Sequence, residues 1–372
     1  MQRPKVKRCA KCLMPNSLPR SQFDENGVCR WCRTGFPNYV SAGEEALVEF
    51  LAQERSSSDQ ADCLVAVSGG KDSTYVLLQL QKKFGQRVEA FTYVHDGLSD
   101  FALDNAKRSA RILGVKHHLV SLPRHVHHET FKKFFRVWVK SQDPLAAAMM
   151  CVACKNLHYL GLRLAKKRGI KTVVWSVCPL ETPPFIPTRS PQSETRRNAP
   201  SKGILSLMGT LAGSMFSDKS FMATFLQHCP TCIRGCLAFD PEGSFLKKRF
   251  SSVRSIQFFN YHEWKGETIK QTITEELGWC LPNTIKIDWH SDCLFNVFKE
   301  YTFQKMYYTS YTDAFLSNQI RHGYISRQEA YKKLLHSKQY YAGRIQEALK
   351  RVGLEDLLGS IDFTCFDVDD GE

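Results

Sequence analysis

The chain has 372 residues, of which 51 are Lys or Arg and 37 are Asp or Glu, giving a formal net charge of +14. Hydrophobic content of 43% and charged content of 24% are ordinary for a soluble globular protein, and the length suffices for a substantial core. No apolar run reaches transmembrane length, and the basic start at residues 1–5 has no apolar stretch behind it, so neither a membrane span nor a secretory signal is predicted and a cytoplasmic location follows.

Taken in order, the chain first presents Cys9-x-x-Cys12 and Cys29-x-x-Cys32. Four thiolates at this spacing can surround one Zn²⁺ tetrahedrally, and residues 1–40 are expected to form a structural zinc segment that draws its folding energy from the metal. Ser41-Ala42-Gly43-Glu44 reads as a capping box that opens a helix ending near Glu54. Ser56 to Gln60 reads as a short linker.

A nucleotide domain is expected over residues 41–180. Cys63 to Val67 reads as a buried parallel strand, Ser68-Gly69-Gly70 as a turn, and the residues from Ser73 onward as a helix. Strand, glycine turn and helix N-terminus together make an anion site. Gly69 and Gly70 let backbone N–H groups converge on phosphate oxygens. Lys71 adds charge, Ser68 and Ser73 add hydroxyls, and Asp72 can hold Mg²⁺. A Walker A loop needs Gly where Val65 stands, and the G-x-G-x-x-G fingerprint is absent. The plain alternative is a glycine turn that only makes a tight bend.

Residues 88–94, 117–122 and 172–177 read as further strands. Ser99 and Asp100 are placed to cap a helix ending at Gly114, and residues 126–140 read as an amphipathic helix. Strands alternating with helices imply a doubly wound parallel α/β sheet, with the ligand beyond the carboxyl ends of its strands. Residues 68–73, 93–96 and 176–178 then surround one crevice. There His95 and Asp96 are candidates for nucleotide contact, with a plain turn as the alternative. His117, His118, His127 and His128 read as surface or core histidines, since such a pair makes no metal site.

Cys151 and Cys154 precede a helix stopped by Gly169, and Cys229, Cys232 and Cys236 come far downstream. Two Cys pairs suit a second Zn²⁺, and three Cys suit a [4Fe–4S] cluster. Buried free thiols are the plain alternative. Residues 181–255 break the strand–helix pattern and are expected to form an insertion, or lid, over the crevice. Residues 256–372 are expected to be mostly helical: a strand at 256–261, then helices at 268–277, 328–336 and 341–352. Trp289-His290-Ser291-Asp292-Cys293 reads either as a substrate or metal contact or as a local turn.

The Ser68-Gly69-Gly70-Lys71-Asp72-Ser73 run resembles the signature of the PP-loop ATP pyrophosphatases. With Cys9-x-x-Cys12-Leu13-Met14-Pro15, Phe23 to Cys32, the Cys151-x-x-Cys154 before a helix, Phe259-Asn260-Tyr261-x-x-Trp264, Leu277-Gly278-Trp279, Asp292-Cys293 and Ile320 to Ala330, the chain resembles the N-acetyl sugar amidotransferase family. That family includes the lipopolysaccharide and pseudaminic-acid amidotransferases. Ser176-Val177-Cys178 stands where the family tends to have a Gly-Glu turn.

The resemblance implies an enzyme of surface polysaccharide synthesis that uses ATP and Mg²⁺. It adenylates the acetamido oxygen of a sugar or nucleotide sugar, and ammonia then replaces AMP to leave an acetamidino group. Lys71, Asp72 and Ser73 would be the catalytic residues. No G-x-C-x-G elbow is present, so a separate glutaminase subunit is implied as the ammonia source. The rival reading is a PP-loop sulfur transferase acting on tRNA or a small molecule, which the basic charge suits. The basic clusters at 5–8, 166–168 and 247–249 are short, however, and an anionic sugar nucleotide accounts for them as well as RNA does. A third reading is a zinc-stabilised scaffold with a vestigial ATP loop.

Overall fold

The computed structural model describes residues 6–18, 21–35, 39–55, 60–123, 125–181 and 218–366. The chain divides into two compact units. One comprises 40–178 and 214–294, the other 1–39, 179–213 and 295–372.

The first unit holds five strands: β1 (Cys63–Ala66), β2 (Val88–Tyr93), β3 (Lys116–Val120), β4 (Thr172–Trp175) and β5 (Arg254–Gln257). All pair in parallel, in the order β3-β2-β1-β4-β5. The order reverses beside β1, and open sheets of this kind present a crevice at that point. β1, β2 and β4 are buried almost throughout, as strands covered on both faces must be. Val88 to Tyr93 and Thr172 to Trp175 match the expected strands closely; β3 ends two residues early, at Val120.

Helices α1 (Arg30–Thr34) and α2 (Glu44–Glu54) precede the sheet, the first in the second unit. α3 (Lys71–Leu78) and α4 (Asp100–Ile112) pack on one face of the sheet. α5 (Val126–Ser141) and the short α6 (Pro144–Met149) pack together, and α7 (Asn156–Arg168) covers the other face. Leu64, Phe91, Val173 and Trp175 point to that face and form its core with Leu162 and Ala165. Gly161 permits the approach, because a Cβ there would stand 2.5 Å from the Phe91 ring. Gly169, in the left-handed conformation, ends α7 as expected.

The expected insertion over 181–255 divides. Residues 182–217, including the apolar stretch near 205–215, lie outside the described residues. The remainder, from Asp218 to Phe250, is largely helical. α8 (Lys219–Gln227), α9 (Cys229–Leu237) and α10 (Ser244–Arg249) are built into this unit. Ala238, Leu246 and Phe250 join the α7-face core, and Phe221 meets Phe134 of α5 at 5.5 Å. The expected strand at 256–261 is β5, an edge strand two residues earlier, succeeded by a 3₁₀ turn at Phe258–Asn260. α11 (Gly266–Leu277) packs on α3.

Two expected caps are corrected. α2 begins after Gly43, which makes no side-chain cap; Ser41 is not the N-cap. Ser99 does stand at the N-cap of α4, but its hydroxyl donates to the Asp292 carbonyl (3.0 Å).

The second unit contains α12 (Phe295–Tyr307), α13 (Tyr311–Arg321) and α14 (Arg327–Val352). α14 is one helix of 26 residues where two were expected. Residues 337–340 (Ser-Lys-Gln-Tyr) contain no Pro or Gly to stop it, and Ser337 instead bonds the Lys333 carbonyl (2.7 Å) within the helix. The N-terminal cysteine segment is not folded by metal alone. Leu13 packs with Leu316, Ala330 and Leu334, and Cys9, Cys12, Met14 and Cys29 pack with Ala314. Asp313, in the first turn of α13, pairs with Arg8.

Candidate nucleotide site and cysteine centre

The phosphate-type loop is closed by its own hydroxyls. Ser68 N–H donates to Ser73 Oγ (3.1 Å), Ser73 Oγ–H donates to the Gly70 carbonyl (3.1 Å), and Gly70 N–H donates to Ser68 Oγ (3.3 Å). The Ser68 and Ser73 hydroxyls are 3.2 Å apart, and with Ser73 already donating, Ser68 is the donor. The two hydroxyls thus bind each other and the loop backbone. Gly69 has φ +83°, and a Cβ on it would stand 1.8 Å from the Ala102 carbonyl oxygen. Only glycine meets both conditions. The loop then enters the first turn of α3, whose leading N–H groups have no intrahelical acceptors.

Residues 264–292 surround this loop; the sequence marked Trp264 and the 289–293 cluster as notable but gave no sign that they meet the loop. Trp279 Nε1 donates to the Gly69 carbonyl (2.9 Å). Lys71, only 4% exposed, donates from Nζ to the Asp288 carbonyl (3.3 Å) and lies 3.7 Å from Asp72 Oδ2. Trp264 Nε1 donates to Asp72 Oδ1 (2.9 Å), with its ring 5.5 Å from Lys71 Nζ. A Cβ on Gly70 would meet Asp292 Oδ2 at 3.5 Å. Of the ambiguous cluster at 289–293, Asp292 is thus brought to the loop, while the Leu98–Cys293 bridge and the Ser99 N–H bond to the Asp292 carbonyl (2.9 Å) tie the cluster to the segment between β2 and α4. Cys178 Sγ lies within 4.8 Å of an Asp72 carboxylate oxygen, which puts the end of β4 at the same crevice. Two carboxylates beside a glycine cradle fit Mg²⁺, which takes one or two protein carboxylates together with phosphate oxygens.

His95 follows β2 and accepts the Gly97 N–H at Nδ1 (3.2 Å), so its neutral ring carries hydrogen on Nε2. Its ring lies 4.5 Å from His127 and 5.5 Å from Tyr93. Tyr93 Oη and His127 Nδ1 are 3.0 Å apart. Burial holds His95 down to about 4, with Asp96 opposing, and holds His127 well below the ordinary imidazole value. Asp96 itself is exposed. His127, expected as a surface or core residue, is buried but belongs to this ring stack; its place 34 residues from Tyr93 gave no signal. His117 and His118 are structural, bonded to Thr92 (2.8 Å) and Glu89 (2.6 Å).

In the second unit the sulfurs of Cys9, Cys12, Cys29 and Cys32 all lie within 4.8 Å of one another. Cys9–Cys32 is 3.9 Å and Cys12–Cys29 is 3.8 Å. A zinc tetrahedron with bonds of about 2.3 Å has edges of about 3.8 Å, so the group fits this ion. Backbone N–H groups of Cys12 and Cys29 point at Cys9 Sγ (3.5 and 3.2 Å), and that of Met14 at Cys12 Sγ (3.4 Å). Arg321 donates to Cys12 Sγ (3.2 Å). The Cys29 and Cys32 thiols, with Arg321, bring Cys12 down to about 7. Ligand thiolates are thus supported by donors around them.

The second cysteine group is not assembled in the same way. Among the described residues, no three of Cys151, Cys154, Cys229, Cys232 and Cys236 lie within ligand distance of one another. The two stretches are nevertheless neighbours. A Cβ on Gly235 would stand 2.2 Å from the Val152 carbonyl oxygen, and Asn156 Nδ2 donates to the Thr231 carbonyl (3.2 Å). Burial raises Cys232 to about 12 and Cys236 to about 11, which keeps both as thiols.

Residues 62–189 match the family model of QueC, the queuosine biosynthesis protein. The match takes in β1 to β4 and the Ser68–Ser73 loop, about a third of the chain. It supports the PP-loop ATP pyrophosphatase superfamily, with its ATP-using enzymes, and the fold is the α/β parallel sheet expected of that class. Trp264, Trp279, Asp288 and Asp292 all lie beyond the matched residues. Among solved structures, the chain is similar to the NH3-dependent NAD synthetase from Campylobacter jejuni subsp. jejuni NCTC 11168 in complex with the nitrate ion. Identity is 13%, over 53% of this chain and 94% of that one, with a TM-score of 0.28. Among the described residues no helix is long and apolar enough to cross a membrane.

Proposed function

We propose that the protein is a cytoplasmic, ATP-dependent amidotransferase of surface polysaccharide synthesis that converts the acetamido group of a sugar or nucleotide sugar to an acetamidino group. The closed Ser68–Ser73 loop at the carboxyl end of β1, where the strand order reverses, is the observation that carries this reading. The acetamido oxygen attacks the α-phosphorus of ATP and pyrophosphate leaves. Ammonia then adds to the activated carbon, and AMP departs with the former amide oxygen. The first step is needed because an amide oxygen is a poor leaving group. Lys71 and the leading N–H groups of α3 stabilise charge on the pyrophosphate. Asp72 would hold Mg²⁺ against phosphate oxygens, and Ser68, Gly69, Gly70 and Ser73 shape the cradle. His95, neutral and with hydrogen on Nε2, supplies a donor at the same edge. The Cys9–Cys32 group would hold structural Zn²⁺, and a separate glutaminase subunit would deliver ammonia.

A second reading, sulfur transfer, is favoured by one observation: α9 with its three cysteines packs against the Cys151–Cys154 turn. Against it, among the described residues no three of these cysteines form a ligand group. Incubation with ATP, Mg²⁺, ammonia or sulfide and acetamido sugar nucleotides, followed by mass spectrometry, separates the two. Replacement of oxygen by NH makes a slightly lighter product and supports amidation. Replacement by sulfur makes a heavier one and supports the rival. Release of ADP and orthophosphate instead of AMP and pyrophosphate refutes both.

A further inference from the structure

We infer that Trp264 is a positioning residue that sets the Asp72 carboxylate for the divalent cation of the nucleotide, an inference that rests on the ATP-binding reading above. Its indole is 2% exposed and makes two contacts with the loop. Nε1 donates to Asp72 Oδ1 at 2.9 Å, and the ring lies 5.5 Å from Lys71 Nζ. Lys71 Nζ is in turn 3.7 Å from the other carboxylate oxygen, Oδ2. One side chain thus orients the two adjacent charged residues of the loop.

The indole is itself held. Tyr75 of α3 and His262 are bonded at 2.9 Å, which ties the segment before Trp264 to the helix that carries Asp72. Gly266 leaves room for the ring, since a Cβ there would stand 2.8 Å from Trp264 Cη2. An indole N–H donates only and cannot ligate a cation, so any effect of Trp264 on metal binding passes through Asp72. Fixing Oδ1 removes rotation of the carboxylate and so also fixes where Oδ2 stands, 3.7 Å from Lys71 Nζ. Mg²⁺ tolerates little deviation from octahedral geometry, so a carboxylate free to rotate holds it less well.

The test is a double-mutant cycle read by equilibrium binding. Electron paramagnetic resonance measures Mn²⁺ affinity in the presence of an ATP analogue that cannot be cleaved between the α and β phosphates. Trp264→Phe keeps the ring over Lys71 and removes the donor. Freeing the carboxylate to rotate predicts Mn²⁺ binding about tenfold weaker, and loss of the buried hydrogen bond predicts a lower melting temperature with or without Mn²⁺. In the Asp72→Asn background the same substitution is expected to change Mn²⁺ affinity little. An equal loss in both backgrounds, or no loss in the wild-type background, overturns the inference. Should Trp264→Phe not fold, wild-type protein labelled with 5-fluorotryptophan serves, with the Trp264 resonance assigned by elimination. A shift on adding Mg²⁺ to the nucleotide complex that is lost in Asp72→Asn supports the role, and an unmoved resonance overturns it. If the wild-type protein forms ADP and orthophosphate, the amidotransferase reading fails while the Mn²⁺ comparison still decides the role of Trp264.

Discussion

Gly69 and Glu300 show how differently single residues can be constrained. At Gly69 the demand is steric: φ is +83° and the Ala102 carbonyl oxygen occupies the place of a Cβ. Gly69→Ala must shift either the loop or α4, so we expect a loss of about 2 kcal/mol or more and loss of ATP binding. Thermal melting and calorimetric titration check the two effects. At Glu300 the demand is electrostatic. The side chain is 1% exposed on α12, and burial pushes its carboxyl up to about 7, with Asp313 adding to the rise and Lys299 opposing it. The unfolded value is about 4.3, so the folded state binds more protons between that pH and 7. Stability therefore falls as pH rises through this window and levels off above it, at a cost of about 4 kcal/mol. Glu300→Gln is expected to match wild type near pH 4 and to melt higher at pH 8. Equal melting curves at both pH values refute this.

At the scale of elements, the cysteine segment and α13 depend on each other. Cys9, Cys12 and Cys29 are fully buried, and Arg321 at the end of α13 donates to Cys12 Sγ. Ser310 and Asp313 form a capping box at the other end of that helix, and Asp313 also meets Arg8. Metal, helix terminus and N-terminal segment thus share one network. We expect one zinc per chain by elemental analysis, and little or none in Cys29→Ser. Stripping the metal is expected to lower the melting temperature by about 10 °C or more. Full activity and an unchanged melt after removal would show that burial alone suffices. α14 carries a related lesson: Ser326 caps its start and Gly353 ends it, while the polar stretch at 337–340 reads locally as a break. A continuous buried face through Leu334, Tyr341 and Ile345 overrides that local signal.

At the scale of the molecule, each unit is assembled from segments far apart in the chain. Leu13 and Met14 cover apolar surface on α13 and α14; both are fully buried, and each contributes about 2 kcal/mol. Deleting 1–39 should leave Leu316 and Leu334 uncovered and cause aggregation, visible as loss of the monomer-sized or native peak in size-exclusion chromatography. A fully soluble, native-like deletion would contradict the packing described.

Local chemistry made β1, β2, β4, α5 and α7 readable in advance, together with the Ser68–Ser73 turn and the four N-terminal cysteines. Each of these announces itself within a few residues, through an apolar run, a helical period, a glycine or a C-x-x-C. The order of the strands, the place of β5 at the sheet edge and the docking of the cysteine segment on α13 and α14 needed the folded chain. So did the surroundings of the phosphate-type loop. Trp264, Trp279, Asp288 and Asp292 stand about 190 to 220 residues beyond it, and contacts at such separation leave no periodic trace. Spacing shows which side chains a short segment can bring together; only packing of the apolar faces decides which distant segment meets it.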